Sequence, residues 1–364
     1  MILIVALKPI SDYFGDLDKP FSSQANFLKK VLINSAKLIL VGLLLYWLAT
    51  TGKLDFSELG IFLKKPSTLV AAVGLWVIAA LLIGSLRWNL LLKGLGINMP
   101  LLRVMRLQLI GFFFNTAMPG AVGGDVIKGM YVLREKTATS KTNALLTIVL
   151  DRIIGLVAIF AIAAVAILTR LDLVRGNAGL MTLSLFVSVG VLVICVVAIF
   201  CLTEIFSERD PFLFILSKKV PGFGLVKKIY LALILFRKDP GTIGKAFFLS
   251  IVAQGMSLCF GYLLATYLSD KAVDIMIYSV VHPIGILTTA LPLAPGGLGI
   301  GHIAFDRLFI MAGIEGGANV FNVMVLSQLA LNLLGIIPYL LHKSEIGGLD
   351  KATEEIGRVV DAGA

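Results

Sequence analysis

Two neighbouring charges, Asp151 and Arg152, lie roughly 14 Å into an apolar run from about Thr142 to Thr169, at 1.5 Å per helical residue. Each costs a few kcal/mol at such a depth in lipid, so each needs a partner or a task. Adjacent helical side chains point about 100° apart, so the two pair poorly with each other. A buried guanidinium can grip an anionic headgroup with two parallel hydrogen bonds, and a carboxylate can orient a cation. The plain alternative is structural pairing with Asp125 and Lys128. Either way, the segment that carries Asp125 and Lys128 must pack on this run. Asn143, Thr147 and Asp151 share one face at four-residue spacing, a polar stripe suited to protein or water.

Asp125 and Lys128 close the stretch Asn115 to Lys128, NTAMPGAVGGDVIK. Pro119, Gly120, Gly123 and Gly124 break the helix that leads in, and the two charges open the next one. Leu291 to His302, LPLAPGGLGIGH, repeats the plan with Pro295, Gly296, Gly297 and Gly299 between apolar arms. Breakers at corresponding places in two halves point to a transporter site at membrane depth. Irregular backbone there must be shielded by protein or line a wet cavity. A glycine-rich turn that opens a helix offers N–H groups and a positive dipole end to an anion. Close helix packing through small residues is the competing account. His302, beside the second tip, reads either as a proton relay or as a hydrogen-bonded packing residue. Ser250, Gln254 and Ser257, and likewise Gln328 and Asn332, read as interhelix hydrogen bonding.

The elements that must position these groups are membrane spans. Hydrophobic residues make up 58% of the chain, where a soluble domain is nearer half. The expected fold is all-α and polytopic, with about six full spans and two re-entrant helical hairpins. Spans are expected at about Val31–Thr51, Ser67–Leu92, Thr142–Thr169, Ala178–Leu202, Thr242–Leu268 and Val320–His342. The hairpins are expected at Leu101 to about Leu133 and at Asp274 to about Ala312. Residues 1–30 read as a cytoplasmic or interfacial tail rather than a signal peptide, 31–343 as one transmembrane domain, and 344–364 as a cytoplasmic tail.

Charge sets the orientation. With the N-terminus in the cytosol, the cytosolic side collects the basic residues around 8–37, 87–106, 128–141 and 203–241, and the C-terminal tail. The other side keeps few, among them Lys64 and Arg170, and Arg152 is left alone within the membrane. Two units follow, about 31–170 and 178–343, entered from opposite sides: an inverted-topology repeat. The net charge of +10 thus reports membrane orientation rather than nucleic-acid binding. The basic loop 203–241 alternates apolar clusters with lysine pairs, and reads either as an interfacial contact to anionic lipid or as a passive topology signal.

Cys195, Cys201 and Cys259 fall in apolar runs and read as small buried hydrophobes. No Walker motif, no ligand cluster at metal spacing and no nucleophile beside a base stands out, so neither cofactor nor metal is expected.

Pro119–Gly120, Gly123–Gly124–Asp125, Arg134, Asp151–Arg152 and Pro295–Gly296–Gly297–Leu298–Gly299, in that order and spacing, resemble the flippase-like, lysylphosphatidylglycerol-synthase transmembrane family of bacteria and archaea. The likeness runs over nearly the whole chain, which reads as a stand-alone transmembrane unit without the soluble aminoacyl-transferase domain of full synthases. The resemblance implies a lipid flippase in the cytoplasmic membrane of a prokaryote. It would move aminoacylated phospholipids or polyprenyl-linked intermediates without ATP. A membrane transferase acting on a lipid-linked substrate, or a non-transporting partner of a lipid-modifying enzyme, are the alternatives. Two departures stand out. Asp151–Arg152 replaces the frequent Glu-Arg, and Gly301–His302 stands where many members carry Arg-Glu.

Overall fold

A computed structural model describes residues 66–117, 123–133, 141–202, 236, 239–269, 272–289 and 299–341. All of them belong to the compact unit Lys53–Ala364. The expected first span, the basic loop up to residue 235 and both tails lie outside them.

The described residues form helices and no strand. In chain order these are α1 (Pro66–Val77), a π-helical turn (Ile78–Ile83), α2 (Gly84–Gly94), α3 (Leu101–Ala117), α4 (Gly123–Leu133) and α5 (Lys141–Thr169). Then come α6 (Leu171–Arg175), α7 (Ala178–Leu202), α8 (Pro240–Leu268), α9 (Ile275–Thr289), α10 (Ile300–Met311), α11 (Gly317–Leu334) and α12 (Ile336–Leu341). Among the described residues, five stretches are long and apolar enough to cross a membrane: Val70–Gly94, Ala144–Thr169, Ala178–Ala198, Pro240–Leu268 and Gly317–Leu341. The chain is a multi-pass, all-α membrane protein.

Local sequence explains the helix ends. Asp239 caps α8 by accepting from the Thr242 N–H, with Pro240 in the first turn. The Thr242 hydroxyl, which donates to Asp239 Oδ2, and then the Thr242 N–H hold the Asp239 carboxyl below the usual carboxylate range. Helix α2 stops at Gly96, whose φ of +79° lets Gly96 and Ile97 donate back to Lys93 and Leu92. Between α1 and α2 the backbone stays helical through the wide π turn. Such a turn shifts the helical phase of all that follows, which here includes Arg87 and Trp88.

Helices α3 and α4 pack against each other, α4 lies on α5, and α3 also contacts α2, α11 and α12. Helices α9 and α10 pack likewise, with α9 on α5 and α10 on α11. Trp88, Val104, Ile110, Ile127, Met130 and Tyr339 anchor the apolar cluster around the first pair. The larger cluster around the second pair includes Phe260, Tyr278, Phe305, Phe309 and Phe321. On α7, Leu185, Phe186, Val189, Leu192 and Val193 are exposed, the mark of a helix turned to hydrocarbon. Cys195 and Cys259, expected to be buried, are exposed on α7 and α8. A lipid-facing surface is as apolar as a core, so hydropathy does not separate the two.

Candidate functional site

Asp151 and Arg152 leave α5 in different directions, as helical geometry requires. Asp151 is buried against α2, where Arg87 donates from Nε to Oδ1 at 2.6 Å and from Nη2 to Oδ2 at 2.9 Å. The third guanidinium nitrogen, Nη1, donates to Ser250 Oγ on α8 at 2.9 Å. Gly155, one turn beyond Asp151, makes room: a Cβ there would lie 3.3 Å from Arg87 Nη1. Three helices are thus tied by one fully engaged guanidinium.

Arg152 faces α4. Its Nε and Nη2 reach Asp125 Oδ2 and Oδ1 at 2.9 and 3.2 Å. Lys128 shares that carboxylate, with Nζ 3.1 Å from Asp125 Oδ1. Lys128 also donates to Gln108 Oε1 at 3.3 Å and sits 4.9 Å from the ring centroid of Trp88. The indole is fixed in turn, because Trp88 Nε1 donates to Thr147 Oγ1 at 3.2 Å. The cluster brings three cations, Arg87, Lys128 and Arg152, together with two carboxylates, Asp125 and Asp151. The cluster opens at Arg152, whose side chain is 51% exposed against 16% for Asp125 and 6% for Lys128.

The first tip is built for close approach. Gly124 lies against the Gly111 carbonyl of α3, where a Cβ would collide. Its N–H already donates to Asn115 Oδ1 at 2.9 Å, so Asn115 fastens the start of α4 to the end of α3. Pro119 and Gly120 lie outside the described residues, as do Pro295, Gly296 and Gly297. At the second tip Gly299 opens α10 with a φ of +83°, and its N–H faces His302 Nδ1 at 3.4 Å. His302 meets the Phe321 ring edge-on and hydrogen-bonds Asn322. Asp125, Lys128, Asp151 and Arg152 therefore form one cluster, while His302 makes its contacts within the second half.

Sequence reasoning counted Arg87 among the cytosolic flanking charges, whereas the structure joins it to Asp151 inside the helix bundle. The signal was present. Arg87 lies inside an apolar run, and two adjacent charges that cannot pair with each other demand two separate partners. Trp88 and Gln108 were also missed, since neither type marks a charge site by itself. Ser250 and Thr147 were legible as members of polar stripes.

A family description, "Lysylphosphatidylglycerol synthase TM region", matches residues 34–338. The chain is 23% identical over 306 residues to a UPF0104 membrane protein of Pyrococcus horikoshii, covering 79% of this chain and 89% of that protein. It is 25% identical over 295 residues to a UPF0104 membrane protein of Methanothermobacter thermautotrophicus, covering 73% and 81% respectively. No solved structure matches the chain.

Proposed function

The chain belongs to the lysylphosphatidylglycerol synthase transmembrane-region family, and from that premise we propose that it is a lipid flippase working without ATP hydrolysis. It moves a lipid with an anionic or polyprenyl-phosphate-linked headgroup across the cytoplasmic membrane. The observation that carries this reading is the shared carboxylate. Arg152 and Lys128 converge on the one carboxylate of Asp125, and Arg152 is the exposed member of the group. A phosphate crossing an apolar barrier needs compensating charge along its way, and a planar guanidinium meets it with two donors. Arg152 is the contact residue, Lys128 the second cation, and Arg87–Asp151 the tie that holds α5 in place. In this reading the two Pro/Gly tips line one cavity, the two halves form an inverted repeat, and both termini and the loop 203–241 face the cytosol.

Full-length protein in proteoliposomes, assayed for the transfer of labelled lipids between leaflets, tests the proposal. Anionic lipid should move faster than in protein-free vesicles, and zwitterionic lipid should not. No acceleration of any anionic lipid would overturn it. Cysteines at 64 and 228, labelled from outside intact cells, check the orientation: 64 should react and 228 should not.

A further inference from the structure

The three groups at the open edge carry a constraint of their own. Asp125 uses both oxygens, accepting from Arg152 Nε and Nη2 and facing Lys128 Nζ at 3.1 Å. A headgroup phosphate that takes those cations must displace the carboxylate. An ionised Asp125 released into this setting would be a second anion beside the first. It is walled by α3 and α5, and its side chain is only 16% exposed. Like charges at close range in a medium of low dielectric repel by several kcal/mol, and a carboxylate answers by taking a proton.

Building on the flippase reading, we infer that anionic lipid and a proton enter the site together, with Asp125 as the proton acceptor. The balance is simple. In the empty state Asp125 is ionised and pairs with Arg152 and Lys128. In the loaded state one phosphodiester anion pairs with the two cations, and one proton from water sits on an Asp125 carboxyl oxygen. The site carries the same net charge in both states, so the empty and loaded forms cross the same electrostatic barrier. The phosphodiester and Asp125 are alternative tenants of one pair of cations, and the proton records which of them is seated.

The neighbours of Asp125 leave few other places for that proton. On α4 itself the nearest charge is Lys128. From α5 come Arg152, which pairs with it, and Asp151, whose two oxygens are taken by Arg87 of α2. From α3 come the neutral Gln108 and Asn115. Asp125 is the carboxylate that must let go when the cations are claimed, because the Arg87 pair does not compete for the headgroup.

The test uses purified full-length protein in weakly buffered detergent and a short-chain diacyl phosphatidylglycerol, whose single phosphodiester charge does not change during the titration. Wild-type protein should take up about one proton per lipid bound, and affinity should rise by up to about tenfold for each unit that pH falls. Asp125→Asn mimics the protonated carboxyl, so it should bind at every pH with acid-like affinity and take up no proton. Asp125→Glu should keep the uptake with a shifted midpoint, and it serves if the Asn variant does not fold. Lipid binding to wild type without proton uptake overturns the coupling and leaves the flippase reading intact. Undiminished uptake in Asp125→Asn overturns Asp125 as the acceptor. Absence of binding at any pH, both of phosphatidylglycerol and of a short-chain polyprenyl phosphate, overturns both.

Discussion

Helix pairs α3–α4 and α9–α10 begin from similar sequence designs, an apolar arm, a Pro/Gly tip and a second arm, yet they close around different interiors. The first closes on ions: Asp125, Lys128 and Arg152, with Trp88 and Gln108 behind them. The second closes on rings. Phe305 stacks on Phe321 with centroids 5.1 Å apart, Tyr278 meets Phe309 edge-on, and His282 is held between Tyr278 Oη at 2.9 Å and Ser257 Oγ at 3.4 Å. The departure at Gly301 belongs to this contrast, since the space that a side chain there would need is filled by the Phe321 ring. Tip sequence alone therefore does not decide what a helix pair closes around. In the first pair α4 itself brings Asp125 and Lys128 and α5 adds Arg152, whereas the contacts described within the second pair are mainly between rings.

The comparison breaks first if the ions of the first half are dispensable. Arg87→Ala or Asp151→Asn strands a buried partner and should cost about 3–5 kcal/mol. Loss of folded protein or a large fall in detergent melting temperature would show it. Arg87→Met combined with Asp151→Leu should recover much of that stability, because a buried pair replaced by apolar groups is often neutral. Single variants as stable as wild type would remove Arg87–Asp151 as the tie between α2, α5 and α8.

Tip packing gives a smaller effect and applies to both halves. Gly124→Ala would drive a methyl group into the Gly111 carbonyl, and Gly301→Ala would press on Phe321. Overpacking of this kind should cost about 1–3 kcal/mol at each site. Gly124→Ala should also slow lipid movement, because it separates α4 from α3 and moves Lys128. Gly301→Ala should lower only the melting temperature. Equal loss of transport in both would erase the distinction between the halves.

Smaller still is the second interior's polar trio. Tyr278→Phe removes one hydrogen bond to His282 and should cost about 1 kcal/mol, with lipid movement unchanged. A loss of transport with normal stability would move function into the second half.

The smallest effect belongs to the loop after α5, where Arg170 bonds Asp172 twice at 3.2 Å and Asp274 at 3.3 Å. The hydrogen bond from Arg170, followed by one from the Leu173 backbone, holds the Asp172 carboxyl below the usual carboxylate range. A depressed carboxylate contributes its stability above its unfolded value and loses it as pH falls through the folded one. Asp172→Asn should therefore leave the neutral-pH melting temperature almost unchanged and flatten only the acid limb, as expected for an exposed pair.

Much of this was legible in the sequence because apolar length and helix breakers are local signals. The span expected at Ala178–Leu202 is a helix with those bounds, and the apolar arms on either side of each tip are helices. The need for Asp125 and Lys128 to pack on α5 was also legible, since an arginine so far along an apolar run demanded a partner. Arg87 was not, because a charge count treats any basic residue near a span end as a flank, and the phase shift of the π turn at Ile78–Ile83 has no clear mark in the sequence. Nor was the aromatic filling of the second half. Which ring occupies which gap is decided by tertiary packing, and Phe321 and Gly301 are twenty positions apart.

The most direct test of the proposed site is Arg152→Gln, with melting temperature and lipid movement measured on the same purified protein. Arg152 is half-exposed, and its carboxylate partner keeps Lys128 when the guanidinium is gone. The account therefore expects a melting temperature close to wild type, no transfer of anionic lipid above protein-free vesicles, and partial transfer in Arg152→Lys. Arg152→Gln protein that melts normally and moves anionic lipid at the wild-type rate would contradict it.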